Sequence, residues 1–509
     1  MSTTKRGRAR SVAAPALGAL LVLAACGDAG TTSTGTGTGT NTGANTGGGT
    51  ATGMGGSGGS GDTGGAGTGA GGGAASGGMG GTGGEGAGIP TADLYFWGDY
   101  AVADNEQVGS LTHADGNVVN LATMGLEGGA NVGGVALSPD GKTLAVVGRG
   151  VANAPDAIYL YPPDGSGSPT ALYTATSPAH DLHDLQFSPD GQWLAFLADI
   201  SDDGDDDLWV VPTAGGAAKR VSPPASQGRV VHAYAWGPNP QPGATYVAYW
   251  GDLDTNAVDE LWVSEVTAAT VTPLKVFAGI SISNEVRSPP QWDNLGRIYV
   301  KANPTGVFRL YRVDHDGQNL EIVPGSSMMN TGGFEGGIAH FGISPDGTML
   351  AFGAEAPLQW TMHVFVMPVT ATVATRVSDV MGLGIVGQYR GPSFDDPIVW
   401  SPDNQQLAVR ADWVVNSGDP DNDFGVFLIP ATGLGGFRLL YAPPVAKHYV
   451  QVAFSADSQR VYALGAIYNY PNLDLYSTND LTTPSQGAPS TLLVAPTAGG
   501  TFEGFVVAP

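Results

Sequence analysis

From Asp184 to Val221 the chain alternates short apolar runs with turn residues. Asp184–Ser188 precedes Pro189-Asp190-Gly191, Trp193–Ala198 precedes an acidic stretch, and Leu208–Val211 precedes Ala214-Gly215-Gly216, with Lys219-Arg220-Val221 last. Aromatic and β-branched residues in runs of about five, punctuated by Pro, Asp and Gly, predict four short strands joined by hairpins. A single sheet of this size has nothing to bury its faces against. The chain supplies the partners by repetition.

The turn recurs at Ser138-Pro139-Asp140-Gly141, Ser344-Pro345-Asp346-Gly347 and Ser401-Pro402-Asp403-Asn404, with weaker copies at Trp236-Gly237-Pro238, Trp292-Asp293-Asn294 and Ser455-Ala456-Asp457. A second strand follows each copy (LAVVG at 144, LAFLA at 194, YVAYW at 246, IYVKA at 298, LAFGA at 350, LAVRA at 407, VYALG at 461), and then a third (AIYLYP at 157, DLWVVP at 207, ELWVSE at 260, and onward to LDLYST at 473). A repeat of roughly 50 residues with four strands per unit predicts an all-β chain, a β-propeller rather than several domains. The two ends complement each other. Asp93–Asp99 reads as a second strand with no first strand before it, and Glu503–Pro509 reads as a first strand with nothing after it. Pairing them makes a composite closing blade and hides two strand edges. Eight four-stranded blades are expected over residues 89–509, or seven if one weak copy is an insertion.

The SPDG-type turns and the LAF…LW pattern resemble the TolB-like, WD-type propeller repeats of bacterial envelope proteins. The resemblance spans about residues 93–509 and implies the fold far more than the function. TolB carries an α/β domain before its propeller, and a Gly-rich stretch stands there in this chain. Prolyl-oligopeptidase-like enzymes add a hydrolase domain bearing G-x-S-x-G, a motif that does not occur in this sequence outside the Gly-rich stretch.

Composition divides the chain further. Residues 27–88 are almost wholly Gly, Thr, Ala and Ser without one aromatic, which predicts a disordered tether. Before it, Lys5, Arg6, Arg8 and Arg10 lead into the apolar Val12–Leu23, a run short for a bilayer span and typical of a signal peptide. Leu23-Ala24-Ala25-Cys26 ends it and resembles the lipobox of bacterial lipoproteins. The expected organisation is therefore a signal peptide over 1–25, a tether over 26–88 and a propeller over 89–509. The resemblance implies acylation at Cys26, the sole cysteine. Gly27 at the following position implies an outer-membrane address, facing the periplasm or the cell surface. Loss of the four leader cations leaves 17 Lys and Arg against 46 Asp and Glu, a net of −29. That charge disfavours nucleic acid, anionic lipid and polyanionic glycans as partners and favours basic peptides, cations or neutral ligands.

Candidate chemistry lies in two sets of loops. Between second and third strands the chain reads Asp199, Asp202, Asp203, Asp205, Asp206, Asp207; then Asp252, Asp254, Asp259, Glu260; then Asp412, Asp419, Asp421, Asp423. Alternating carboxylates such as Asp203, Asp205, Asp207 and Asp419, Asp421, Asp423 supply hard oxygen donors for Ca²⁺, and the plainer reading is a solvated acidic rim. Phe424 stands where an EF-hand loop needs Gly. Loops entering the first strands hold His180, Asp181, His183, His232, His340 and His448, with Asp396 at the place of His183 and His232 in another repeat. These residues are expected around the mouth of a central channel, as a metal or acid–base site or as polar groups at a wet opening. Oligogalacturonate lyases are similar propellers with a histidine-held metal. The leading expectation is a monomeric, non-enzymatic module that binds an envelope protein or basic peptide; the alternative is a metal-dependent carbohydrate-active enzyme, a lyase or hydrolase, using His183, His232 and His340.

Overall fold

The computed structural model describes residues 92–98, 107–112, 117–121, 132–149, 154–164, 168–200, 205–224, 230–238, 243–255, 258–280, 289–303, 308–326, 338–355, 362–378, 398–412, 424–433, 438–441, 449–465, 474–477, 491–494 and 502–509. The leader, Cys26 and the Gly-rich stretch lie outside them. So do Asp202, Asp203, Asp396, Asp419, Asp421, Asp423 and His448.

Among the described residues the strands form eight four-stranded antiparallel sheets. In chain order we call them A to H. Sheet A joins the two ends of the chain: Leu94–Gly98, Gln107–Thr112 and Asn117–Asn120 take Phe502–Val507 as their fourth member. Sheets B to H begin with the first strands Val132–Leu137, Leu182–Phe187, Val231–Trp236, Gln291–Trp292, Ile338–Ile343, Val399–Trp400 and Tyr449–Phe454. First strands of neighbouring sheets touch, including Tyr449–Phe454 with Phe502–Val507 and the latter with Val132–Leu137. The cycle of sheets therefore closes through sheet A, as in a β-propeller.

Apolar runs, rather than a clean polar alternation, mark strands covered on both faces. Sheet A shows why. Leu94, Phe96, Phe502 and Phe505 pack with Tyr462, Leu464 and Leu475 of sheet H, while Tyr95, Trp97 and Val506 pack with Val135, Leu144 and Val146 of sheet B. Each fully buried side chain of this size stabilises the fold by roughly 2 kcal/mol. Polar pins accompany the packing. Gln451 of sheet H accepts the Phe505 N–H at 3.0 Å and donates to the Phe505 carbonyl at 2.7 Å. Trp236, Trp292 and Trp400 each donate the indole N–H to a first-strand carbonyl of the preceding sheet, at Gln186, Ala235 and Gly342.

The recurring Ser-Pro-Asp turns are structural, as their composition predicts. The serine hydroxyl donates to the aspartate two residues on, at 2.5 Å in Ser188–Asp190, Ser344–Asp346, Ser401–Asp403 and Ser455–Asp457. It also accepts the N–H that opens the second strand, as from Trp193 at 3.0 Å. Gly191 takes φ 68° to close the turn, a conformation in which a Cβ would be strained. In the exposed turn of sheet B, donation from Ser138 and Lys142 holds Asp140 down to about 2.

Two boundaries differ from the sequence expectation. The first strand of sheet C starts at Leu182 rather than Asp184, and its register shifts between His183 and Gln186. Asp184 absorbs the irregularity with φ 53°, the left-handed region that Asp tolerates better than most residues. In sheet D the acidic loop is instead hairpin. Tyr246–Thr255 and Val258–Glu265 pair as far as Thr255↔Val258. Buried Glu260 makes this possible by accepting the N–H groups of Leu253, Asp254 and Thr255 at 3.0–3.2 Å.

Candidate functional site

In an antiparallel sheet of this order, the start of the first strand, the end of the second and the start of the third share one edge. Register fixes which residues meet there. Gly148↔Ala157, Ala198↔Asp207 and Gly251↔Glu260 are matching pairs in sheets B, C and D. Asp156, Asp206 and Asp259 consequently occupy one position, just ahead of the third-strand pair. Arg149, Asp199 and Asp252 occupy a second position, just after the second-strand pair. Gly133, His183 and His232 occupy a third, one residue past the first-strand partners Val132, Leu182 and Val231.

In all three sheets the pre-third-strand aspartate holds a basic group. Asp156, 5% exposed at its side chain, pairs with Arg149 and also accepts the Leu182 N–H of the next sheet at 3.2 Å. Asp206 lies 3.3 Å from Nε2 of His183, and Asp259 lies 3.3 Å from Nε2 of His232. Sheet B takes its cation from the second strand because the first-strand position has no room for one. A Cβ on Gly133 would sit 2.7 Å from the Leu182 carbonyl oxygen and 3.0 Å from a methyl of Val147.

His183 is enclosed by acid. Its Nδ1 lies 3.1 Å from Asp184 and its Nε2 3.3 Å from Asp206. Burial alone would lower its pKa, but the hydrogen bonds and charges of the two aspartates outweigh that and raise it to about 10. At neutral pH His183 is therefore an imidazolium with both N–H groups donating. In sheet D the place of Asp184 falls to Ala233, and His232 meets Asp252 instead. One atom each from His232, Asp252 and Asp259 lie within 4.8 Å of one another, a metal-sized grouping among the described residues. Asp252 is oriented by accepting the Val230 N–H at 3.0 Å. The imidazole of His232 rests on the Trp250 ring, centroids 4.8 Å apart.

The remaining sequence candidates lie elsewhere. His180 is buried in the turn before sheet C, its N–H on the Ser177 carbonyl at 3.2 Å, and Asp181 follows it, half-buried. His340 stands one position beyond the His183 site, because Ile338 pairs with Ala354 as Leu182 does with Ala198, leaving Ala339 at the equivalent place. Asp205 is buried. Asp207 is wholly buried and accepts from Ser222 at 2.9 Å and Arg220 at 3.1 Å. Of the acidic stretch in sheet D, Glu260 secures the hairpin and exposed Asp254 pairs with Lys275 at 2.6 Å. The sequence reading named His232 among the histidines and Asp252 and Asp259 among the loop acids, and did not join them. Counting each from its strand pair, rather than along the loop, was the signal that joins them.

No family model and no curated protein matches the chain. Among solved structures, it is similar to an oligogalacturonate lyase in complex with manganese (12% identity, TM-score 0.46, 76% of this chain and 97% of that one). It is also similar to the oligogalacturonate lyase of Vibrio parahaemolyticus (11%, 0.43, 74% and 95%). A third is TolB from Acinetobacter baumannii (14%, 0.30, 57% and 64%). The TolB-like propeller fold stands on the sheets and their closure, and no residue's role is carried over from these proteins.

Proposed function

We propose that this protein is a lipid-anchored propeller of the bacterial outer membrane. It acts as a non-enzymatic module that binds an envelope protein or basic peptide at the rim carrying Asp156, Asp206 and Asp259. One observation supports the reading above others: in three consecutive sheets the same rim position is an aspartate that already clasps a basic side chain, Arg149, His183 or His232. Such a rim suits further cationic groups, and a mature net charge of −29 would steer them toward it. The Cys26 lipobox motivates the anchor, since several acyl chains hold a protein at a membrane where one does not. A Gly-rich coil of about sixty residues has an r.m.s. reach of roughly 40–45 Å, enough to let the propeller search around its anchor.

The test is crosslinking and affinity capture of the full tethered protein from its own cells, alongside a variant carrying Asp206→Asn. A stoichiometric partner that is lost or strongly reduced in the variant is expected. Equal capture by both forms would refute binding at this rim, and metabolic labelling with palmitate that persists in Cys26→Ser would refute the anchor.

A further inference from the structure

We propose that the rim of sheet D is a divalent transition-metal site in which His232, Asp252 and Asp259 are the protein ligands. All three project from strands of one sheet: Val231–Trp236, Tyr246–Thr255 and Val258–Glu265. Their ligand atoms lie within 4.8 Å of one another, and His232 Nε2 and Asp259 Oδ1 are 3.3 Å apart. Ligand bonds of about 2.1 Å in a tetrahedral site place neighbouring donor atoms roughly 3.4 Å apart, so small side-chain adjustments close the set. The donors are one imidazole and two carboxylates. A nitrogen ligand argues for zinc or manganese over calcium, which takes an all-oxygen shell.

Sheet C shows the same positions with both ring nitrogens of the histidine held by carboxylates of the sheet. Asp184 and Asp206 each take one ring nitrogen of His183. In sheet D, Ala233 stands where Asp184 would, and Asp252 and Asp259, from the second and third strands, bring their carboxylates to the one imidazole. The Val230 N–H on one oxygen of Asp252 fixes that carboxylate's direction, as an outer-shell partner does for a metal ligand.

A second, independent feature points to an occupant. Trp250 is 3% exposed, and its indole N–H has no hydrogen-bond partner among the described residues. Buried donors are nearly always paired. Trp250 precedes Asp252 by two residues and pairs with Leu261, two residues beyond Asp259, and its indole lies against the imidazole of His232. An oxygen ligand completing the metal's shell, from water or from a bound anion, is the acceptor that this N–H lacks.

The experiment uses the full mature protein, stripped of metal, titrated with Zn²⁺ and with Mn²⁺ by calorimetry. One equivalent per chain is expected, with a metal-dependent rise in Tm. His232→Ala and Asp259→Asn should each weaken binding by at least about tenfold, while Asp254→Asn, on the same hairpin, leaves it unchanged. Absence of saturable binding by the parent protein, or undiminished binding by folded His232→Ala, overturns the proposal. Anomalous diffraction from a zinc-soaked crystal supplies a readout that needs no variant: an ion between these three side chains supports the site, and an ion held only elsewhere overturns it.

Discussion

In sheet C the imidazole of His183 lies between Asp184 and Asp206; in sheet D that of His232 lies against Asp259, with Asp252 beside it and Ala233 where Asp184 would stand. Sheet B is a third solution, with Gly133 in place of the histidine and Arg149 in place of the second-strand aspartate. The frame of three rim positions is common to all, and what differs is how each aspartate's charge is met. In B and C the partner is a permanent or protonated cation within the sheet. In D a single imidazole meets carboxylates from the second- and third-strand positions, and the three donor atoms lie within 4.8 Å of one another. One first-strand residue distinguishes them: Asp184 takes the second ring nitrogen of His183, and Ala233 offers His232 no such carboxylate.

The comparison can be broken hardest in sheet B. Arg149→Met leaves Asp156 nearly buried with the Leu182 N–H as its remaining donor among the described residues, and should cost about 3 kcal/mol in urea unfolding. Adding Asp156→Asn to that variant should recover most of the loss, because the uncompensated charge goes with it. If Arg149→Met alone is neutral, the rim aspartates are not held by their cations.

Sheet C is distinguished from D by titration. Its histidine has a folded-state pKa of about 10 against an ordinary 6.5, so the stabilisation is full below pH 6.5 and is lost as the pH rises toward 10. The difference in Tm between the parent protein and His183→Gln should therefore shrink by a few °C between pH 6.5 and 10. The corresponding free energy is at most about 5 kcal/mol and less in practice, since part of the ring is open to water. A difference that does not change with pH would remove the imidazolium from sheet C.

The smallest effect is expected at the exposed edge of sheet D. Asp254→Asn breaks a pair with Lys275 whose aspartate side chain is 59% exposed, and should alter stability by less than about 0.5 kcal/mol at moderate salt. A larger loss would mean that the hairpin depends on this pair and not on the Glu260 hydrogen bonds.

Strand order, turn chemistry and closure were written in local patterns. LAVVG, LAFLA and VYALG are apolar because both faces of each sheet are covered, and Leu94–Gly98 lacks a first strand that Phe502–Val507 supplies. Such features depend on residues close in the chain, or on one matching pair of ends, and the amino-acid pattern alone determined them. The rim chemistry did not yield to the same reading. Asp252, Asp254, Asp259 and Glu260 look alike along the sequence, yet Glu260 closes a hairpin, Asp254 meets a lysine, and only Asp252 and Asp259 converge on His232. Those assignments turn on register and on one left-handed residue, Asp184, which sets where the neighbouring histidine lies. A cyclic repeat of four-stranded sheets was legible along the chain, because hydrophobic burial reads residue type at fixed spacing. Which carboxylate faces which base was decided only in the tertiary structure, because electrostatic and ligand geometry acts over a few ångströms between strands some 20 to 30 residues apart.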